Sequence, residues 1–209
     1  MKQEINNNYI IKNFPYIKEN HNHFIEYANL AHQRFNFVYG SKTSFDQKSS
    51  TWFYRYYNIT CLTFGSNLYY KLFSDLQNLF KEITNNKKPL WYQSWLNFHK
   101  PNEVLDWHNH YECLLHGYIS IDPKESETEF EDYKIKNEIG NVYIGKPEKK
   151  HKVNVLKPYD GHRITIAFDI IDEDNVNNIY KKYGNIDINT GFIPIIWKNN
   201  LKTQLGILN

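Results

Sequence analysis

The chain has 209 residues and a formal net charge of +2, with 25 Lys and Arg scattered among 23 Asp and Glu. That length suits one substantial core, and a near-neutral balance without a basic stripe makes no electrostatic case for nucleic acid. Cys61 and Cys113 are too few for a disulfide framework, and no stretch approaches the roughly 18 consecutive apolar residues of a membrane span. A reducing, cytoplasmic setting fits. The abundance of Asn, Lys and Ile is the bias of an AT-rich genome, as in many viruses acting inside a host cell.

Residues 1–13 are polar and Asn-rich, with no apolar signal core, and are expected to be disordered. Residues 16–37 carry Phe24, Tyr27, Ala28, Ala31 and Phe35 at helical spacing. Residues 51–64 are aromatic and β-branched and read as one or two strands. Residues 66–84 form a clearer amphipathic helix, with Leu68, Leu72, Leu76, Leu79, Phe80 and Ile83 on one face and Ser66 as N-cap. From residue 91 the texture becomes short β-prone runs between turns, the pattern of a sandwich or barrel. Strands are expected at 91–98, 105–112, 116–121, 129–133, 142–144, 151–156 and 163–170, a short helix at 173–183 and a last strand at 192–197. The expectation is a single domain, with residues 14–90 as helical support for a β core at 91–209.

The densest chemistry lies in Asp106-Trp107-His108-Asn109-His110-Tyr111-Glu112. On a strand, Asp106, His108, His110 and Glu112 project to one side, so two imidazoles one residue apart can grip one metal ion. A third ligand must come from a distant strand, and His151 is the candidate. Three ligands on one face leave coordination positions open for a co-substrate and O₂. The same residues also suit a hydrogen-bonded polar face, and His21-Asn22-His23 repeats the tripeptide on a helix, where the two rings diverge. Neutral imidazole suits Fe, Zn, Cu and Ni alike, so the ligands do not name the metal. In Arg163-Ile164-Thr165-Ile166-Ala167-Phe168-Asp169-Ile170 one face is apolar and the other is Arg, Thr, Ala, Asp. There Arg163 and Thr165 can clamp a carboxylate, or Arg163 is an ordinary surface arginine.

Taken together, His108-Asn109-His110, Leu115-His116-Gly117-Tyr118, His151-Lys152-Val153 and Arg163-Ile164-Thr165-Ile166-Ala167-Phe168 resemble the Fe(II)- and 2-oxoglutarate-dependent oxygenases, over residues 91–170. The resemblance implies a mainly β protein with flanking α-helices, its double-stranded β-helix (a jelly-roll, cupin-like core) packed against N-terminal helices. It implies His108, His110 and His151 as catalytic iron ligands and Arg163 with Thr165 on the far carboxylate of 2-oxoglutarate. O₂ would be co-substrate, succinate and CO₂ would be released, and hydroxylation is the default outcome. The chain departs from the family pattern in placing His110 where an acidic ligand is usual. The triad is then all-histidine, or His110 pairs with Glu112, while Asp106 could orient an imidazole from behind. Trp91, Trp95, Trp107, Tyr118 and Tyr143 could wall a dry pocket or be ordinary core aromatics.

Two rivals stand beside this reading: a cupin-like metalloenzyme that does not use 2-oxoglutarate, and a metal-free β-sandwich ligand-binding module. Arg163 separates the first, since its clamp then has no purpose, and metal content separates the second. A nuclease suggested by the letters H-N-H is no match, because those enzymes spread these residues over a ββα unit. The primary substrate stays open among small molecules, amino-acid side chains and nucleobases.

Overall fold

The computed structural model describes residues 3–5, 9–39, 58–63, 65–84, 89–101, 103, 105–183 and 193–195. It is mainly antiparallel β with a helical layer on one face. The described residues form ten strands: β1 Gln3–Ile5, β2 Tyr9–Asn13, β3 Leu90–His99, β4 Leu115–Asp122, β5 Ser126–Phe130, β6 Lys134–Lys136, β7 Asn141–Gly145, β8 His151–Val155, β9 Arg163–Asp172 and β10 Ile193–Pro194. Five helices accompany them among the described residues: α1 Pro15–Glu19, α2 His21–Tyr39, α3 Ile59–Leu62, α4 Asn67–Thr84 and α5 Glu173–Tyr183. One sheet has the order β1-β2-β7-β4-β9-β3-β10 and the other β6-β5-β8. No described helix is long and apolar enough to cross a membrane.

Helix formation follows the apolar stripes. α2 buries Phe24, Ala28, Ala31 and Phe35, and α4 buries Tyr69, Leu72, Phe73, Leu76, Leu79 and Phe80. Ser66 Oγ accepts the Tyr69 N–H at 3.3 Å to cap α4, and the Tyr69 hydroxyl donates to Phe24 O at 2.7 Å, tying the two helices together. This layer lies on the large sheet, where Phe80 meets Tyr92 and Phe168 at ring distances of 5.6 and 5.2 Å. Phe168 belongs to the even-numbered face of β9 with Ile164, Ile166 and Ile170, all buried. The odd-numbered face, with Arg163, Thr165, Ala167 and Asp169, turns toward the second sheet.

Several segments differ from the sequence expectation. Within the expected tail at 1–13, Gln3–Ile5 and Tyr9–Asn13 are strands, and residues 1, 2 and 6–8 lie outside the described residues: β2 pairs residue by residue with β7, Ile11 opposite Tyr143, because β7 offers an open edge and Tyr9 packs on Tyr133 and Tyr143. Of the strand expected at 51–64, residues 59–62 are helical, started by Asn58 Oδ1 accepting the Thr60 N–H at 3.0 Å; residues 51–57 and 64 lie outside the described residues. In the strand expected at 192–197, Ile193–Pro194 pairs with β3, and residues 192, 196 and 197 lie outside the described residues. β5 runs earlier than 129–133 because Ser126, Thr128 and Phe130 alternate inward, and β6 follows it after a turn.

The most consequential difference is at 105–112, which is not a strand. It meets β8 through an isolated bridge, His108 opposite His151, closed by His108 N–H to His151 O at 3.0 Å and His151 N–H to His108 O at 2.9 Å, and through one longer bond from Val153 N–H to Leu105 O at 3.4 Å. The Asp106 carboxylate takes the Trp107 N–H at 2.7 Å, a local bond that competes with strand pairing, and the His110 N–H goes instead to Pro147 O at 2.8 Å.

Candidate metal centre and anion pocket

Between the two sheets lies a cleft with about 430 Å³ of empty space, its mouth included. Its lining draws on both layers, with His108, His110 and His151 at one region and Arg163, Thr165 and Asn97 at another. His108, His110 and His151 each bring a ring nitrogen within 4.8 Å of the others'. His108 is carried by the bridge to β8, His151 by β8 itself, and His110 by its bond to Pro147.

The Nδ1 atoms decide what these rings can do. His108 Nδ1 lies 2.7 Å from Asp106 O, His151 Nδ1 3.2 Å from Lys149 O, and His110 Nδ1 3.3 Å from Asp169 Oδ1. Carbonyl and carboxylate oxygens only accept, so Nδ1 of His108 and His151 carries the proton, the oxygen beside His110 Nδ1 favours the same form, and such a ring, when neutral, keeps its Nε2 lone pair for a metal. Burial, then the neighbouring His116, His108 and His110, push the His151 pKa well below its ordinary value, so the ring is neutral, as a ligand must be. The donor set therefore fits a divalent transition metal.

Behind His110 stands a group that the sequence did not single out. Asp169, buried on β9, accepts from His116 Nδ1 at 2.9 Å, and the same oxygen lies 3.3 Å from His110 Nδ1. The rings of His110 and His116 stack 3.5 Å apart at 13°, and Trp95 lies parallel to both, at 5.8 and 6.2 Å. Burial alone would push the Asp169 carboxyl up, but the two imidazoles hold it well below the usual carboxylate range. His110, His116 and Asp169 form a second cluster within metal-holding distance. The signal in the sequence was Asp169 on the polar face of β9; its partnership with His116 depends on the β4–β9 register, which places the two residues opposite each other.

Asp106 serves His108 through its backbone carbonyl, while its carboxylate is spent on Trp107. Glu112 sits in the turn after His110 and belongs to neither cluster. Of the aromatic residues considered, Trp95 and Tyr118 line the cleft. Trp107 is exposed beneath Lys152, and Trp91 packs with Cys113 and Ile171. Tyr143 is buried against Tyr118 and Phe130.

Arg163 is not a surface arginine: it is 3% exposed. One guanidinium nitrogen donates to His99 Nδ1 at 2.7 Å, and among the described residues no carboxylate pairs with it. Burial, then the adjacent Arg163, lower the His99 pKa to about 3, which keeps that ring a neutral acceptor. Thr165 Oγ1 accepts from Asn97 Nδ2 at 3.2 Å, so its own proton remains available to a ligand in the cleft. A buried guanidinium without a counter-ion is costly, and a carboxylate in the cleft removes that cost.

No family model and no curated protein matches the chain. Among solved structures it is similar to a non-haem monooxygenase, the ThoJ–nickel complex, at 9% identity over 73% of this chain and 69% of that one, with a TM-score of 0.48. It is also similar to SnoN, a non-haem α-ketoglutarate-dependent epimerase from nogalamycin biosynthesis, at 11% identity over 52% of this chain and 57% of that one (TM-score 0.39). A third is a cupin-2 domain protein of Shewanella frigidimarina, at 18% identity over 47% of this chain and 92% of that one (TM-score 0.29). Likenesses at this level leave the functional argument to the site itself.

Proposed function

We propose that the protein is an Fe(II)- and 2-oxoglutarate-dependent dioxygenase that hydroxylates its substrate with release of succinate and CO₂. His108, His110 and His151 would hold the iron, and Arg163 with Thr165 the far carboxylate of 2-oxoglutarate. The observation that carries the reading is Arg163, a buried cation without a carboxylate partner among the described residues, lining the same cleft as three imidazoles whose ring nitrogens come within 4.8 Å of one another. Asp169, the other charge on this face of β9, lies six residues away, roughly 20 Å along an extended strand. One end of the cleft thus suits a cation and the other an anion. A divalent metal with Arg163 and Asp169 leaves two positive charges, which a dicarboxylate neutralises.

The strand arrangement supports a double-stranded β-helix. In chain order β3, β4, β7 and β9 fall in one sheet, and the 105–110 segment, β5, β6 and β8 fall on the other side. We further read the helical layer and the two sheets as one domain, since α4 covers the apolar face of the strands whose other face forms the cleft.

Iron bound there would supply O₂ activation coupled to oxidative decarboxylation of 2-oxoglutarate. The chain's own work is positional. Arg163 and Thr165 would orient the dicarboxylate, His99 fixes the guanidinium and Asn97 fixes the hydroxyl. Trp95, Tyr118 and Ala167 would keep water from the wall of the cleft. A metalloenzyme without 2-oxoglutarate would leave the Arg163 charge unbalanced. The test is conversion of 2-oxoglutarate to succinate by the iron-loaded protein in air. Succinate is expected, with none from His108→Ala or His151→Ala; an iron-loaded wild type that never makes succinate would favour the cupin-like alternative.

A further inference from the structure

We propose that Asp169 is the positioning anion of this site. One of its carboxylate oxygens accepts Nδ1–H from His116 and stands 3.3 Å from His110 Nδ1, and with the stacked His116 ring it sets the plane and tautomer of His110. It thereby supplies, directly behind the metal position, the negative charge that an all-histidine ligand set lacks. The inference rests on the reading of His108, His110 and His151 as ligands.

The two contacts, 2.9 Å to His116 and 3.3 Å to His110, involve Nδ1 in each case. Because the acceptor carries no proton, His116 donates from Nδ1, and a His110 ring facing the same oxygen is favoured as the Nδ1–H form, which in its neutral state leaves Nε2 as the lone-pair nitrogen. His116 is the slab that stops His110 from turning: the rings are 3.5 Å apart and 13° from parallel, and Trp95 stacks on the pair. Backbone pairing fixes the carboxylate in turn, since Asp169 stands opposite His116 on β4 and opposite Gln93 on β3. Among the described residues its ionic partners are His110 and His116, with no lysine or arginine. When the imidazoles beside it are neutral, the buried carboxylate keeps an unbalanced charge until a cation sits on their far nitrogens. A carboxylate behind a ligating imidazole raises the basicity of that ligand.

Two measurements on the folded protein test this with zinc alone as the probe. In histidine ¹⁵N–¹H spectra of the wild type, His110 and His116 are expected as Nδ1–H tautomers, and His110 keeps that proton after zinc is added. An Nε2–H tautomer at His110, or loss of the His110 Nδ1 proton on loading, would overturn the proposal; the second result would place the ion on His110, His116 and Asp169 themselves. By equilibrium titration, Asp169→Asn is expected to bind zinc 10- to 100-fold more weakly than wild type, with Asp169→Glu recovering part of the loss. Equal affinity in Asp169→Asn would overturn it while leaving the ligand triad intact. No zinc binding by the wild type would sink the metal site itself and this inference with it. Should Asp169→Asn fail to fold, the wild-type spectra decide.

Discussion

Arg163 and His99 show how one buried pair divides its work between stability and binding. Among the described residues the guanidinium is buried without an opposite charge, a cost to the ligand-free protein that a hydrophobic side chain would not carry. Arg163→Met is expected to raise ligand-free stability by about 1 kcal/mol, the released charge outweighing the acceptor orphaned on His99, while 2-oxoglutarate binding is lost. Urea midpoints with and without 2-oxoglutarate measure both; a variant several kcal/mol less stable would show that Arg163 is a structural cation. His99 sets a pH dependence. Its native pKa of about 3 lies below the ordinary 6.5, so the unfolded chain takes up the proton first. The contribution of His99 is complete above about pH 6.5 and drains as pH falls toward 3, by on the order of 4 kcal/mol at the bottom of that window. His99→Asn, which keeps an acceptor for Arg163 without titrating, is expected to flatten the slope of urea stability between those pH values. An unchanged slope would assign the acid sensitivity to other histidines.

At the level of elements, β4 and β9 do the most to place the site, and their contact allows little slack. Gly117 on β4 faces the Phe168 ring and the Tyr143 carbonyl oxygen, which a Cβ at that position would meet. Gly117→Ala is expected to cost about 1–3 kcal/mol by forcing these groups apart, measured by chemical unfolding. A neutral substitution would mean that the β4–β9 layer yields easily. What the sequence made legible here was side-chain alternation: β9 could be read as two faces, and Arg163, Thr165 and Asp169 fell on the one that lines or backs the cleft. His108, His110 and His151 were legible as a spacing, though not through the geometry assumed. The run at 105–112 holds its rings by one bridge, one local acceptor and one distant one, since hydrogen bonds to Asp106 O and Pro147 O leave no mark in hydrophobic periodicity. The pairing of Asp169 with His116 was hidden for a related reason: register between distant strands is set by the whole sheet. Nor did the Asn-rich start betray β2, whose pairing depends on the open edge of β7.

For the molecule as a whole, the helices and the cleft are two consequences of one sheet. The even-numbered residues of β9 bind the helical layer and the odd-numbered ones build the site, so the support for α4 and the placement of Arg163 and Asp169 come from the same strand. On the proposed function, this cleft holds a metal at its histidines and a dicarboxylate between that metal and Arg163. Anaerobic titration with Fe(II) and 2-oxoglutarate, followed by visible absorption, tests it most directly. A weak charge-transfer band of the chelate is expected in the wild type, absent in His151→Ala and diminished in Arg163→Met. Bound iron that gives no band with 2-oxoglutarate in the wild type would contradict the account.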